Sequence, residues 1–486
     1  MSGPVMPDSA PVLPAGPVKP VVYTVALAAA TAGLLFGLDV GVISGALKFL
    51  QADFKAQGYD VTDAMLEYIV SGLLLGATVG AVACGWLSVA LGRKRTLVIS
   101  AVIFILGSLG CAYATSPLML IGMRVFLGFA VGIASFITPL YLSEVAPQRL
   151  RGAMVSMYQL MITIGILAAF LSDTYLANYA VIDGVTGGHW RLMLGVLIIP
   201  ASLMLFAVLT LPESPRWLLM RGREAEGRSI LTRIRSLPQE VDAEVLAIKQ
   251  DMAVPQSGFR MFLRNVNFRR SVYLGIGLQV IQQLTGINVI MYYAPRILET
   301  AGLDTDIEQL WGTVLLGVVN MVATLVAIAF VDKWGRKPMM YAGFVIMGIA
   351  MAAVGLFFQL GSDTVSPYLA MGALIVFLAG FAVSAGPIVW ILCAEIYPIN
   401  GRDFGITVST ATNWIVNGIV GVTFLQLLTG IGAANTFYLY GGFELLFFIF
   451  FICFVPETKG VSLEQISANL LAGKPLRNIG VSKHHD

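Results

Sequence analysis

The sequence predicts an all-α membrane protein: twelve transmembrane helices in two pseudo-symmetric six-helix halves, with a polar helical linker between them. Three observations carry that prediction. Of 486 residues, 57% are hydrophobic and only 12% are charged, with a mean hydropathy of +0.82, whereas soluble domains run at about a quarter charged. Twelve apolar stretches reach the roughly 20 residues that a helix needs to cross a bilayer. Three short polar motifs recur in the same order in each half of the chain.

The apolar stretches fall at residues 22–46, 66–90, 96–115, 118–142, 153–176, 191–211, 270–298, 308–331, 338–360, 367–394, 404–430 and 436–455. A tail with regularly spaced prolines (Pro4, Pro7, Pro11, Pro14, Pro17, Pro20) precedes them and reads as disordered or polyproline-like. It has no apolar core ahead of a small-residue cleavage site, so no cleavable leader is expected. Between the sixth and seventh stretches lies a segment rich in Arg and Glu, with helical patterning over 223–236 and 239–252. The expected organisation is a tail at 1–20, an N-terminal half at 21–211, a linker at 212–269, a C-terminal half at 270–456 and a second tail at 457–486.

Basic residues cluster at Arg93-Lys94-Arg95, at Arg149 and Arg151, in the linker, at Lys333, Arg336 and Lys337, and at Arg402. All fall in even-numbered connections. Odd-numbered ones lean acidic: Asp53, Asp60, Asp63 and Glu67, then Asp173 and Asp183, then Glu299, Asp304, Asp306 and Glu308. Lys and Arg collect on the cytoplasmic side of membrane proteins, which puts the even loops, the linker and both termini there. The halves repeat: Gly92-Arg93-Lys94 returns as Gly335-Arg336-Lys337, Ser143-Glu144 through Pro147 as Ala394-Glu395 through Pro398, and Pro212-Glu213 as Pro456-Glu457, at offsets of 243, 251 and 244 residues. Both copies lie on one side, so the repeat is parallel, an arrangement associated with alternating access.

Two charges stand inside apolar stretches, Asp39 and Arg124. An ionised group at membrane depth costs about 3 kcal/mol or more, and each leaves an uncompensated charge without the other. A static structural pair and an ion- or proton-handling pair both fit. A second concentration of polarity is the amide run Gln279, Gln282, Gln283 and Asn288. The three glutamines share one helix face, and Gly286 loosens the backbone before Asn288, as in the broken helices that form binding sites in transporters. The plainer alternative is amides that glue helices together.

Other chemistries find no support. Cys84, Cys111, Cys393 and Cys453 all fall in apolar segments without metal-ligand spacing, and they read as small buried hydrophobes. His189, His484 and His485 sit in a loop and at the terminus, with no nucleophile–base constellation. Neither an enzyme, a metal site, a cofactor nor nucleic-acid binding is expected. The sequence has no Asn-x-Ser/Thr sequon.

Over about residues 20–470 the chain resembles the sugar porter family of the major facilitator superfamily. The resemblance rests on Pro212-Glu-Ser-Pro-Arg216, Gln282-Gln-Leu-Thr-Gly-Ile-Asn288 with Tyr292 and Tyr293, Gly386-Pro387 with Trp390, and Pro456-Glu-Thr-Lys459. Within the family, Tyr158-Gln159-Leu-Met-Ile-Thr-Ile-Gly165 and Ser409-Thr-Ala-Thr-Asn413-Trp414 look most like bacterial galactose–proton symporters. One departure is Val89, which stands where the first loop motif usually carries an acid; the second copy keeps Asp332.

The resemblance implies a major facilitator fold and a set of roles. Gln159, Gln282, Gln283, Asn288, Asn320, Trp390 and Asn413 would bind substrate. Amides both donate and accept without the desolvation cost of a charge, which suits sugar hydroxyls, and Trp390 would stack on the sugar ring. Gln279, Phe381, Trp414 and Ile166 would form the pocket wall; xylose-preferring relatives carry Gln at the Ile166 position, so a hexose is favoured. Asp39 and Arg124 would couple transport to protons, since passive relatives often carry Asn at the Asp39 position. Tyr292 and Tyr293 would close the outer side, or anchor the chain at the membrane interface. Arg93, Glu144, Arg151 and Glu213, with Arg336, Glu395, Arg402 and Glu457, would form an inner gate. The implied activity is proton-coupled uptake of galactose or glucose across a bacterial inner membrane. The implied partners are a monosaccharide, a proton and the bilayer, with the chain acting as a monomer. A passive facilitator of the same fold is the alternative. A membrane sugar sensor ranks below both, because the stretch after the last span is short for an effector.

Overall fold

Asp39 and Arg124 can occupy a bilayer only if the helices around them bury both, and the packing of the N-terminal half does so. The computed structural model describes residues 17–147, 150–179, 188–253, 258–361 and 365–481. Most of the proline-rich tail, Arg149, Asp183, His484 and His485, together with the side chains of Arg151 and Asp332, lie outside the described residues. Among those described there is no strand, and twelve spans are long and apolar enough to cross a bilayer.

The N-terminal half comprises α1 (Pro20–Ala56), α2 (Asp63–Leu91), α3 (Arg93–Ala112), α4 (Pro117–Val145), α5 (Arg151–Tyr179) and the short pair α6 (Gly188–Gly195) and α7 (Ile198–Thr210), which together make the sixth span. The linker folds as α8 (Pro215–Met220), α9 (Glu224–Ile234), α10 (Pro238–Ala253) and α11 (Gly258–Arg264). The C-terminal half comprises α12 (Val266–Leu284) with α13 (Ile287–Thr300), α14 (Asp306–Trp334), α15 (Arg336–Leu360), α16 (Pro367–Val383) with α17 (Ala385–Glu395), α18 (Arg402–Gly430) and α19 (Ala433–Phe454), and α20 (Leu463–Leu471) follows.

Two differences from the sequence-based expectation matter for the site. First, α1 runs ten residues past the expected end at 46. No Gly or Pro stands between residue 46 and Gly58, and Leu50 and Phe54 are fully buried. Asp53 and Glu67, expected in a loop, therefore lie on α1 and α2 and are buried. Second, the tenth span is broken at Ser384, whose backbone is not helical (φ −121°, ψ −89°) and whose hydroxyl donates to the Gly380 carbonyl at 2.6 Å. Pro387 has no N–H for the Val383 carbonyl four residues back and its ring crowds that carbonyl, which ends α16 here; the Ser384 hydroxyl bond adds to the bend. The break expected at Gly286 is present, with φ +89°, a value that only glycine takes at little cost.

In the N-terminal half, glycine stripes bring backbones together. Gly33, Gly37, Gly41 and Gly45 line the face of α1 that meets α5, and a Cβ at Gly37 would lie 1.9 Å from the Ile162 carbonyl oxygen. Between α2 and α4 the arrangement is reciprocal: Gly76 lies on Val125, and Gly128 on Leu73. The C-terminal half packs through rings, with Phe344 against Phe447 and Phe451, and Tyr341 against Phe448 and Phe451, between α15 and α19. The linker is fixed to both halves. Arg235 donates to the carbonyls of Val145 and Ala146 at 2.9 and 3.2 Å, while Phe259 and Phe262 of α11 pack on Phe404 of α18.

Candidate substrate and coupling site

Asp39 sits in the middle of α1 and is fully buried. Its Oδ1 accepts from Arg124 Nη1 of α4 at 2.8 Å, and Arg124 also donates from Nε to the Ile69 carbonyl of α2 at 3.3 Å. The two charges expected to be partners are thus brought together, and three helices meet at the guanidinium. The second oxygen, Oδ2, has no hydrogen-bond partner among the described residues. A carboxylate with one charge-assisted bond and one free oxygen is held, yet leaves a position where a proton can add.

In the C-terminal half the amides form two hydrogen-bonded sets, Gln279–Gln282–Asn413 and Gln283–Asn288. Gln282 donates from Nε2 to the carbonyls of Ala385 and Gly386 at 2.9 and 3.0 Å, in the first turn of α17, directly after the break at Ser384. Its Oε1 accepts from Asn413 Nδ2 of α18 at 2.8 Å, and the same nitrogen donates to Gln279 Oε1 at 2.7 Å. Asn288 Nδ2 donates to Gln283 Oε1 at 2.5 Å across the Gly286 break. Gln279 is fully buried and also reaches Cys393 Sγ at 3.5 Å, so it is an internal wall of its set. One amide set thus lies beside each break: Gln283–Asn288 at Gly286, and the Gln282 hub at Ser384.

Gln159 of α5, Asn320 of α14 and the Trp390 indole of α17 make no side-chain hydrogen bond to the described residues; Gln159 is partly exposed and Trp390 exposed. These are groups that ligand hydroxyls can satisfy. Trp414 is buried and its ring lies 5.4 Å from that of Phe36, an aromatic contact between the halves. Phe381 is partly buried beside Gly386. Ile166 is buried, and its backbone runs against Gly37 and Gly41 of α1, on the same helix as Asp39.

Tyr292 and Tyr293 are buried on the side of the molecule away from the linker. Tyr293 leaves helical geometry (φ −118°, ψ 18°), donates to the Gly421 carbonyl at 3.1 Å and stacks on Phe424. Tyr292 meets Asn417, whose Nδ2 lies 3.3 Å from the phenol oxygen. On the linker side, Arg93 grips Glu144 through two bonds of 2.8 and 2.7 Å, and Arg336 reaches Glu395 at 2.9 Å. Each pair closes within its own half. Glu213 and Glu457 cap helix starts: Glu213 accepts from the backbone N–H of Arg93, Lys94 and Ser214, and Glu457 from those of Arg336, Lys337, Thr458 and Lys459. Arg402 reaches the Tyr397 carbonyl at 3.5 Å.

Four polar residues escaped the sequence reading as site residues. Asn417 stands one turn beyond Asn413 on the same face, so the pattern that found the one could have found the other. Glu444 is an acid inside an apolar span, the signal that identified Asp39. Glu67 and Asp173 lie near span ends and read as loop acids, yet both are fully buried.

The family model for the sugar (and other) transporters matches residues 25–470. The chain is 51% identical over 463 residues to the galactose-proton symporter of Escherichia coli strain K12, covering 95% of this chain and 97% of that protein. It is 48% identical over 461 residues to the arabinose-proton symporter of the same strain, covering 94% and 95%. Among solved structures, the partially occluded inward open conformation of the E. coli xylose transporter XylE superposes with a TM-score of 0.80 at 30% identity, covering 91% of this chain and all of that one. The proton:xylose symporter XylE bound to 6-bromo-6-deoxy-D-glucose gives 0.79 at 32% identity, covering 92% and 98%. This chain therefore belongs to the sugar transporter family and is a multi-pass sugar porter of the major facilitator superfamily.

Proposed function

We propose that the protein carries a hexose, galactose or glucose, into a bacterial cell together with a proton, by alternating access across the inner membrane. The basic even loops put the linker and both termini in the cytoplasm. The observation that carries the coupling assignment is the buried Asp39–Arg124 pair with one carboxylate oxygen unpartnered. The names of the galactose, arabinose and xylose symporters support the same reading.

In the proposed cycle, ionised Asp39 is held by Arg124. A proton from outside adds to the carboxylate and removes the charge on which the 2.8 Å bond depends, which frees α1 to move relative to α4. Sugar hydroxyls meet Gln159 from the N-terminal half and Asn320, Trp390, Gln282, Gln283, Asn288 and Asn413 from the C-terminal half, so a bound sugar rewards closure of the halves around it. Loss of the proton to the cytoplasm lets Arg124 recapture the carboxylate and resets the pair. The pairs Arg93–Glu144 and Arg336–Glu395, with Arg151, Glu213, Arg402 and Glu457, lie on the face that opens to release sugar. Buried Ile166, rather than an amide, favours a hexose. The monomer holds all of these groups.

Sugar-induced alkalinisation of the medium tests the assignment. De-energised cells given galactose or glucose should take up protons with the sugar. Uptake of sugar without any pH change would instead identify a passive facilitator. A panel of unlabelled sugars competing against labelled galactose settles the preferred substrate.

A further inference from the structure

On the face away from the linker, the halves are fastened by two dissimilar contacts. One is exposed: Lys48 of α1 pairs with Asp306 of α14 at 2.5 Å and with Glu299 of α13 at 3.6 Å, the three side chains being 43%, 48% and 36% exposed. Exposed pairs of this kind contribute little. The other is buried. Glu67 of α2 has no exposed surface, and its carboxylate reaches across to α18. Oε1 accepts from the backbone N–H of Leu425 at 2.7 Å and of Gln426 at 3.2 Å, and Oε2 accepts from Gln426 Nε2 at 2.8 Å.

Hydrogen bonds to an ionised acceptor are roughly twice as strong as neutral ones, and all three cross between the halves. They also fall on a particular turn. The Gly421 carbonyl, four residues before Leu425 and so its intrahelical acceptor, is the group that receives the Tyr293 hydroxyl. Glu67 from one half and Tyr293 from the other thus hold the same turn of α18. The crevice left between the halves here, lined by Ser44, Lys48, Leu66, Tyr293 and Leu425, has a volume of about 40 Å³, room for about one water and none for a sugar.

We propose that Glu67 is the bolt of the outer gate: its carboxylate locks α2 to α18 while the pathway faces the linker side, and releasing it opens the far side to substrate. Glu67 touches neither the amide hub nor Asp39. It is a positioning residue that acts through the Tyr293 turn, and its three acceptor bonds explain why an acid is present. A glutamine offers one acceptor oxygen and would turn its own NH2 toward that of Gln426.

The test is labelling of the full-length protein in membrane vesicles, without sugar, by a membrane-impermeant maleimide at Ser44→Cys, with Cys453→Ser removing the one exposed native thiol among the described residues. Glu67→Gln and Glu67→Ala should each raise the labelling rate from the far side about tenfold, whereas Lys48→Ala should change it less than twofold. In uptake, Glu67→Gln should lower half-saturation for external sugar and lower the maximal rate together, because more molecules wait outward-facing. Unchanged labelling in a Glu67→Gln protein that melts like its parent overturns the proposal. If neither Glu67 variant folds, Gln426→Ala, which removes one bond from the partner side, must raise labelling about threefold, and no change there overturns the proposal equally. The labelling uses neither sugar nor proton gradient, so it stands or falls separately from the transport assignment.

Discussion

In the N-terminal half the helices touch backbone to backbone; in the C-terminal half they touch ring to ring. The first mode places α1 so close to α5 that Gly37 has no room for a Cβ, and it surrounds Asp39 and Arg124 with unbroken helices. The C-terminal half also holds the helices broken at Gly286 and Ser384, and the carbonyls of Ala385 and Gly386 just after the second break anchor Gln282. A buried charge pair needs rigid walls, because any gap admits water and weakens the pair. A site for a polyhydroxylated ligand needs many polar groups that can be re-satisfied, which broken helices supply. The halves share a topology, and their packing fits them to different tasks.

This division is sharpest in a pair of substitutions with opposite expected signatures. Asp39→Asn should abolish gradient-driven accumulation while sugar still binds, since an amide cannot take up and release a proton. Gln282→Ala should raise the half-saturating sugar concentration about 10- to 100-fold, a loss of about 1–3 kcal/mol from a buried set left unsatisfied, while accumulation still follows the gradient. Uphill transport into vesicles together with equilibrium binding separates the two. Full-rate accumulation by Asp39→Asn would end the division of labour.

Next in size is the cost of splitting the charge pair. Arg124→Leu leaves Asp39 buried and unpaired, which should destabilise the protein by about 3–5 kcal/mol. Adding Asp39→Asn should restore much of that loss, because the orphaned charge disappears. Thermal unfolding in detergent of the two singles and the double reads the coupling directly. The packing contrast gives a smaller effect. Gly37→Val forces side-chain atoms into the Ile162 carbonyl and should cost about 1–3 kcal/mol. Gly372→Ala on α16 meets nothing within 4 Å and should be neutral or stabilise by up to about 1 kcal/mol.

The sequence displayed the parts of this arrangement that break the rules of their surroundings. Asp39, Arg124 and the glutamine run were legible because a bilayer makes polarity costly, so each had to be explained. The twelve spans were legible for the same reason. Glu67 and Asp53 were not. Near span ends an acid is unremarkable, and what buries Glu67 is a turn of α18 some 358 residues away, while Asp53 is buried by Trp190, 137 residues on, whose indole donates to it at 2.9 Å. The break at Ser384 had a mark in the sequence, Gly386-Pro387, because a proline gives no N–H to the carbonyl four residues back and crowds it, but the apolar run continues through it and masked the signal. Local periodicity reports on a residue's own helix and not on what a distant helix brings to it.

The smallest predicted effect concerns a feature the halves have in common. Glu213 and Glu457 occupy equivalent positions and cap the starts of α3 and α15, each after a glycine of positive φ (94° at Gly92, 91° at Gly335). Replacing a side-chain cap typically costs about 0.5–2 kcal/mol, so Glu213→Gln and Glu457→Gln should lower stability by similar, modest amounts. Burial works to raise the Glu457 carboxyl, but the backbone N–H groups of Lys337, Lys459, Arg336 and Thr458 outweigh it and hold the group below its ordinary value of 4.5. A carboxylate depressed in the folded state contributes stability that is fully present above its unfolded value and is lost as pH falls through the folded one. The melting difference between the parent and Glu457→Gln should therefore be constant at neutral pH and close as pH drops below about 4.5. A gap that stays open in acid would mean that shape, and not charge, makes the cap. A loss confined to Glu457→Gln would mean that the linker, which follows Glu213 but not Glu457, holds the N-terminal half together without the cap.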